Sequence, residues 1–192
     1  NQAFQSAAAL FFAIITSKMI LAFPARLPIT IQHGRYVPFL PKGNEMSEET
    51  TTKVSTAFWI IAGLLAVWNL SGLYMYYQMS ITTPEQLEAA GYSAVQIAHI
   101  LGTPAWAHSA YAIAVNAGVL GVIFLLLRKA WAIPMFVLSL IGALLQDLDA
   151  YVLRGALENF EAVWLVIPIT VIVICVFEIW YSRAAKAKGW LS

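Results

Sequence analysis

Long apolar runs separated by short polar breaks dominate this chain between residues 56 and 181. A helix that crosses the hydrocarbon must satisfy its own backbone polar groups, and it needs about 20 mostly apolar residues at ~1.5 Å each. Four segments meet that demand: residues 56–78, 104–127, 130–151 and 161–181. Trp59, Tyr76, Tyr77, Trp106, Trp131, Tyr151, Trp164, Trp180 and Tyr181 mark their rims, where amphipathic rings suit headgroup depth. Only Arg128-Lys129 interrupts the apolar pattern between the second and third spans, and so short a link forces an antiparallel hairpin. The pattern predicts an all-α, integral membrane four-helix bundle over residues 46–192.

The polar break at 79–103 is longer than a turn. Leu87, Ala90, Ala94, Ile97 and Leu101 recur at three- and four-residue spacing, which predicts short helices lying on the membrane surface. Thr83 suits an N-cap, Pro84 the first helical position, and Glu85 the positive helix start. Gly91 suits a break between the two helices. The functional reading of this connection is a lid over one end of the bundle. The structural reading is a packed connector.

Residues 3–23 form a further apolar stretch interrupted by Lys18, followed by a tract rich in proline and basic residues. Two readings of residues 1–45 stand side by side. One is an additional N-terminal transmembrane or membrane-associated helix, with Lys18 snorkelling to an interface. The other is a translated leader ahead of a domain that starts at Met46, whose MSEETTTK sequence has the form of a bacterial amino terminus. A cleaved signal peptide fits less well, because no basic n-region precedes the apolar stretch.

Composition agrees with a bilayer as the solvent: 60% of residues are apolar and 11% charged, against about half and a quarter in soluble domains. The net charge of +1 comes from scattered basic residues, with no stripe to neutralise phosphates, so no nucleic acid is expected as a partner. Cys175 is the single cysteine, which excludes an intrachain disulfide framework and a cysteine-cluster metal site. Orientation follows from the positive-inside rule. Lys53, Arg128, Lys129, Arg183, Lys186 and Lys188 flank one end of the bundle, against Arg154 at the other. Both ends of the bundle chain are therefore expected in the cytoplasm, in a bacterial inner membrane.

Ionisable groups at membrane depth are costly and are candidates for function. Antiparallel threading gathers several at the outer level: Asn69, Tyr74, Tyr77 and Gln78; His108 and Tyr111; then Gln146, Asp147 and Asp149, followed by Arg154, Glu158 and Glu161. Ser139, Gly142, Gln146 and Asp149 fall on one helix face, which is expected to point inward. Two readings result. In the first, His108, Tyr111, Gln146, Asp149, Asn69 and Gln78 line an outward-facing site for a ligand or proton. In the second, Asp147 and Asp149 pair with Arg154 and His108 bonds to a neighbouring helix, with Glu158 and Glu161 in the same ion-pair set. Glu178 and Arg183 are read as ion-pair members at the inner end, Glu178 with a basic residue of the 128–129 loop or the tail. Pro168, in the interior of the fourth span, predicts a kink. Gly63 and Gly72, and the series Ala110, Ala114 and Gly118, suit close helix contact within the bundle or in a homodimer. His99 and His108 lack metal-ligand spacing, so neither a metal nor a cofactor is expected.

The segment PAWAHSAYAIAVNAGVLGVIFLLLRKAWAIPMFVLSLIGALLQ resembles a group of small bacterial four-helix membrane proteins of the DoxX-like class. The likeness covers residues 55–181 and is most specific in PAWA, LLLRKAWAIP and LSL. It implies a compact four-helix inner-membrane protein and carries over no catalytic residues. Members are sometimes labelled sugar transporters, but one four-helix chain lacks the paired repeats and broken helices of secondary transporters. The expected function is a non-enzymatic accessory subunit or small-ligand binder, as a homo-oligomer or within a larger membrane complex. The alternatives are an oligomeric transporter or channel using the outer polar cluster, and a quinone-linked redox protein.

Overall fold

The computed structural model describes residues 54–160 and 165–192, within the unit Thr52–Ser192. Expectations for residues 1–45 and for Glu161 lie outside the described residues. The chain runs α1 (Thr56–Ile81), α2 (Pro84–Ala89), α3 (Ala94–Leu101), α4 (Ala105–Leu126) and α5 (Ala132–Asp147). A π-helical turn (Leu148–Leu153), α6 (Ala156–Asn159) and α7 (Val166–Ala187) follow. Among the described residues, four helices are long and apolar enough to cross a membrane: Thr56–Ile81, Ala105–Leu126, Ala132–Leu153 and Val166–Ala187. The chain is a multi-pass, all-α membrane bundle.

Local chemistry sets the helix ends. Thr83 and Gln86 close a capping box around α2, Ser93 and Gln96 do the same for α3, and Pro84 occupies the first turn of α2. Each box satisfies two backbone donors that a helix start otherwise leaves open. Gly91, at φ +92°, ends α2 with bonds from Tyr92 N to Leu87 O at 3.1 Å and from Gly91 N to Glu88 O at 2.9 Å. The short connecting helices and the Gly91 break follow the sequence pattern.

Close packing centres on α4 and α5. Ser139 Oγ donates to Ala114 O at 2.8 Å, and a Cβ at Gly142 would stand 2.7 Å from Ala110 O and 2.9 Å from Ala114 N. The small residues of α4 therefore serve this internal contact, because only a glycine opposite them lets the two backbones come so near. The α1 helix packs against α4, and α7 packs against α5. Outward-facing Val67, Leu70, Leu120, Ile141, Val173 and Val176 are exposed, as lipid contact requires.

Three expectations are corrected. Among the described residues, no atom lies within 4 Å of a Cβ built at Gly63 or Gly72, so these glycines make no close helix contact there. Pro168 falls in the first turn of α7 rather than its interior. A helix start leaves its first N–H groups without intrahelical partners, so proline is tolerated there. The fourth span also extends through Arg183 and Lys186 to Ala187, where cationic groups suit a helix C-terminus.

At the end formed by the α4–α5 hairpin, the chain after α7 folds back. Ser192 N donates to Arg128 O at 2.9 Å, and Ala130 N donates to Ser192 O at 2.8 Å. The Trp190 ring meets Phe58 edge-on with centroids 5.8 Å apart. This hairpin end lies opposite the connector end, which carries α2, α3, the π turn and α6.

Candidate functional site

A polar layer crosses the bundle near mid-span. Asn69, close to the middle of α1, donates through Nδ2 to Glu178 Oε1 at 2.6 Å and to Leu65 O at 2.9 Å. Glu178 sits near the middle of α7 and is 1% exposed. Ser139 of α5 is buried beside this pair: a Cβ at Gly118 of α4 would collide with Asn69 Oδ1 and stand 3.2 Å from Ser139 Oγ. Cys175 lies buried one turn before Glu178, near Ser139. Ser182, one turn after Glu178, is wholly buried, and its hydroxyl has no hydrogen-bond partner among the described residues. All four spans thus contribute to one enclosed site, with Gly118 supplying the space that the Asn69 amide occupies.

This arrangement corrects the sequence reading of Glu178. It bonds to Asn69 across the bundle and not to Arg183, which is exposed. Asn69 belongs to the mid-span layer rather than the outer cluster. A signal was available, since Cys175, Glu178 and Ser182 recur at i, i+3 and i+7 and define one face of a helix. The cations that follow at Arg183 and Lys186 obscure this face in the sequence.

The outer candidates divide between partners. Asp149, 2% exposed, accepts from Arg154 Nε at 2.7 Å. The same guanidinium donates to the His99 carbonyl and, at 3.1 Å, to Thr103 Oγ1. Arg154 therefore ties the end of α3 to the π turn. The wider hydrogen-bond spacing of that turn places Asp149 inward, and π turns recur at functional sites. The His99 ring faces Phe160 with centroids 5.5 Å apart. Partial burial, and then the Arg154 charge, lower the His99 pKa below its ordinary value. Tyr92, also on the connector, has its pKa raised by burial.

His108 is exposed and stands 3.4 Å from Tyr76 Oη, whose ring also meets Tyr111 edge-on at 5.1 Å. Gln78 Nε2 donates to Tyr74 Oη at 2.7 Å on the exposed surface of α1. Gln146 and Asp147 are half-buried and Glu158 is exposed. Among the described residues the ion pair is Asp149–Arg154, so the expected pairing of Asp147, Glu158 and Arg183 does not form. Asp147 points away from Arg154 because it precedes Asp149 by two helical positions, on a different face. The structure therefore brings Asn69 to Glu178, Asp149 to Arg154, and both His108 and Tyr111 to Tyr76. It does not join them into one outward-facing site.

Among the described residues, no cluster of three or more His, Cys, Asp or Glu side chains could hold a metal ion. The mid-span layer holds one buried carboxyl, Glu178, which accepts the Asn69 amide N–H, with the Ser182 hydroxyl one helical turn away. No family model matches the chain, and no curated protein or solved structure shows significant similarity to it.

Proposed function

We propose that this chain is a non-enzymatic protein of the bacterial inner membrane that binds a small cation, the proton included, at Glu178. The observation that carries this reading is a fully buried carboxyl near mid-span, hydrogen-bonded by Asn69. A lone carboxylate at the centre of a bilayer costs on the order of 3 kcal/mol even on the lenient insertion scales. A neutral amide donor offsets part of that cost and supplies no charge, so the site is completed by a proton or a hard cation. The unpartnered Ser182 hydroxyl one turn away adds an oxygen that such an occupant can use.

The same proposal places both ends of the bundle in the cytoplasm, supported by Arg128, Lys129, Arg183, Lys186 and Lys188 at the hairpin end. It includes kinship with the DoxX-like group, supported by the residues of the α4–α5 hairpin. The protein acts as a cation-responsive subunit of a homo-oligomer or of a larger membrane complex.

The test uses the full chain in neutral-lipid vesicles. Thermal unfolding is followed against pH and against Li⁺, Na⁺ and K⁺ at constant ionic strength, with infrared difference spectra of the carboxyl band. The expected result is a pH or cation response, with its carboxyl signal, that is lost in Glu178→Gln. Equal responses in wild type and Glu178→Gln would reject the reading.

A further inference from the structure

The hairpin end holds a second arrangement, unrelated to Glu178. The α4 helix ends in a Schellman motif: Lys129 N donates to Phe124 O at 2.7 Å and Arg128 N donates to Leu125 O at 3.0 Å. The motif requires a left-handed residue, and here it is Arg128 at φ +58°. The equivalent positions after α2 and α7 are Gly91 and Gly189, at φ +92° and +69°. Glycine takes this conformation without the steric conflict that a Cβ brings. Arginine among glycines at equivalent caps points to a use for its side chain.

The guanidinium is directed by the returning tail. Arg128 Nε donates to Trp190 O at 2.9 Å, and Lys188 Nζ lies 4.7 Å from the centroid of the Trp190 ring. Trp190 is in turn held by Phe58 of α1. Two cations are therefore fixed on one aromatic residue, with Lys129 next in sequence to Arg128. Among the described residues, no Asp or Glu side chain forms an ion pair with these cations. Gathered cations repel one another unless an anion joins them. Trp131, 65% exposed beside the same hairpin, marks headgroup depth.

We propose that Arg128, Lys129 and Lys188, organised by Trp190, form a seat for the phosphodiester of an anionic membrane lipid. The left-handed backbone at Arg128 and the folded-back tail aim the donors. The guanidinium uses Nε on the Trp190 carbonyl, which leaves its terminal nitrogens for phosphate oxygens.

The full chain is reconstituted in phosphatidylcholine alone and with phosphatidylglycerol, and the Tm shift between the two is compared for wild type, Arg128→Gly and Lys188→Gln. Native mass spectrometry counts retained lipids. The wild type should melt higher in the anionic mixture and retain phosphatidylglycerol, and either substitution should roughly halve that shift. Arg128→Gly should melt no lower than wild type in neutral lipid, since glycine fits the left-handed cap. Lys188→Gln alters no special backbone conformation and reads the seat even where Arg128→Gly folds poorly. An equal anionic shift in all three proteins overturns the proposal. So does an Arg128→Gly protein that melts lower in neutral lipid yet keeps the shift, which would assign Arg128 to the fold. Protection of the phosphatidylcholine sample by inorganic phosphate, matching that by phosphatidylglycerol, overturns the lipid assignment.

Discussion

Asn69 and Glu178 meet at 2.6 Å from opposite ends of the bundle sequence, joining the middle of α1 to the middle of α7. Interhelical hydrogen bonds in membranes contribute about 0.6 kcal/mol on average and rarely above about 1.7. Removing the partner of a buried carboxyl adds the desolvation cost of the group left behind. Asn69→Ala should therefore lower stability by about 2 kcal/mol, and Asn69→Ala with Glu178→Leu by less than the two single changes combined. Chemical unfolding in detergent micelles measures this, and strictly additive losses would show that the two residues act independently.

The glycines make a contrasting set. Gly142→Ala would drive a Cβ to 2.7 Å from Ala110 O, and backbone atoms on a neighbouring helix have little room to yield. Overpacking of this kind costs about 1–3 kcal/mol. Gly72→Ala meets nothing within 4 Å and should stabilise α1 by up to about 1 kcal/mol through helix propensity. The order of melting temperatures, Gly72→Ala above wild type above Gly142→Ala, checks both packing assignments at once.

At the connector end, Arg154→Gln removes the cation from Asp149, whose side chain is 3% exposed. Breaking a buried pair on one side costs about 3 kcal/mol or more, because the remaining charge stays buried. Adding Asp149→Asn should recover part of that loss. Proteolysis between α3 and α4 should also accelerate in Arg154→Gln, since the guanidinium no longer holds the His99 carbonyl. Unchanged cleavage would mean that the clamp does not restrain the connector.

His99 gives a pH dependence of known sign. Its folded pKa lies below the unfolded value of about 6.5, so the unfolded chain binds the proton more readily. The native state is then fully favoured above about pH 6.5, and stability falls as the pH drops from there through the lowered folded pKa. Replacement by Gln should flatten this part of the profile. Because Glu178 is proposed to respond to pH as well, the comparison is best made in a Glu178→Gln background.

Much of this architecture was legible in the residues. Apolar runs bounded by Trp and Tyr gave the spans, and Thr83, Pro84 and Gly91 gave the connector helices, because these signals are local. The fourth span was read as ending at Tyr181, with Arg183 outside it, whereas the helix runs on to Ala187. That shift moved Glu178 toward the rim and suggested a basic partner, when the longer α7 puts it near mid-span opposite Asn69. Asp149 and Arg154 are five residues apart and could be paired by eye. The bonds from Arg154 to His99 and Thr103 depend on tertiary threading that spacing alone does not encode.

Arg154 lies 55 residues after His99 and 51 after Thr103, and this separation sets an order of events during synthesis. The connector leaves the ribosome long before its clamp exists, and α4 and α5 must both be threaded before the guanidinium reaches it. Until then α2 and α3 lack this tie to the rest of the bundle. Arg154 is thus a late fastening: it locks the connector only onto a hairpin that has already been inserted.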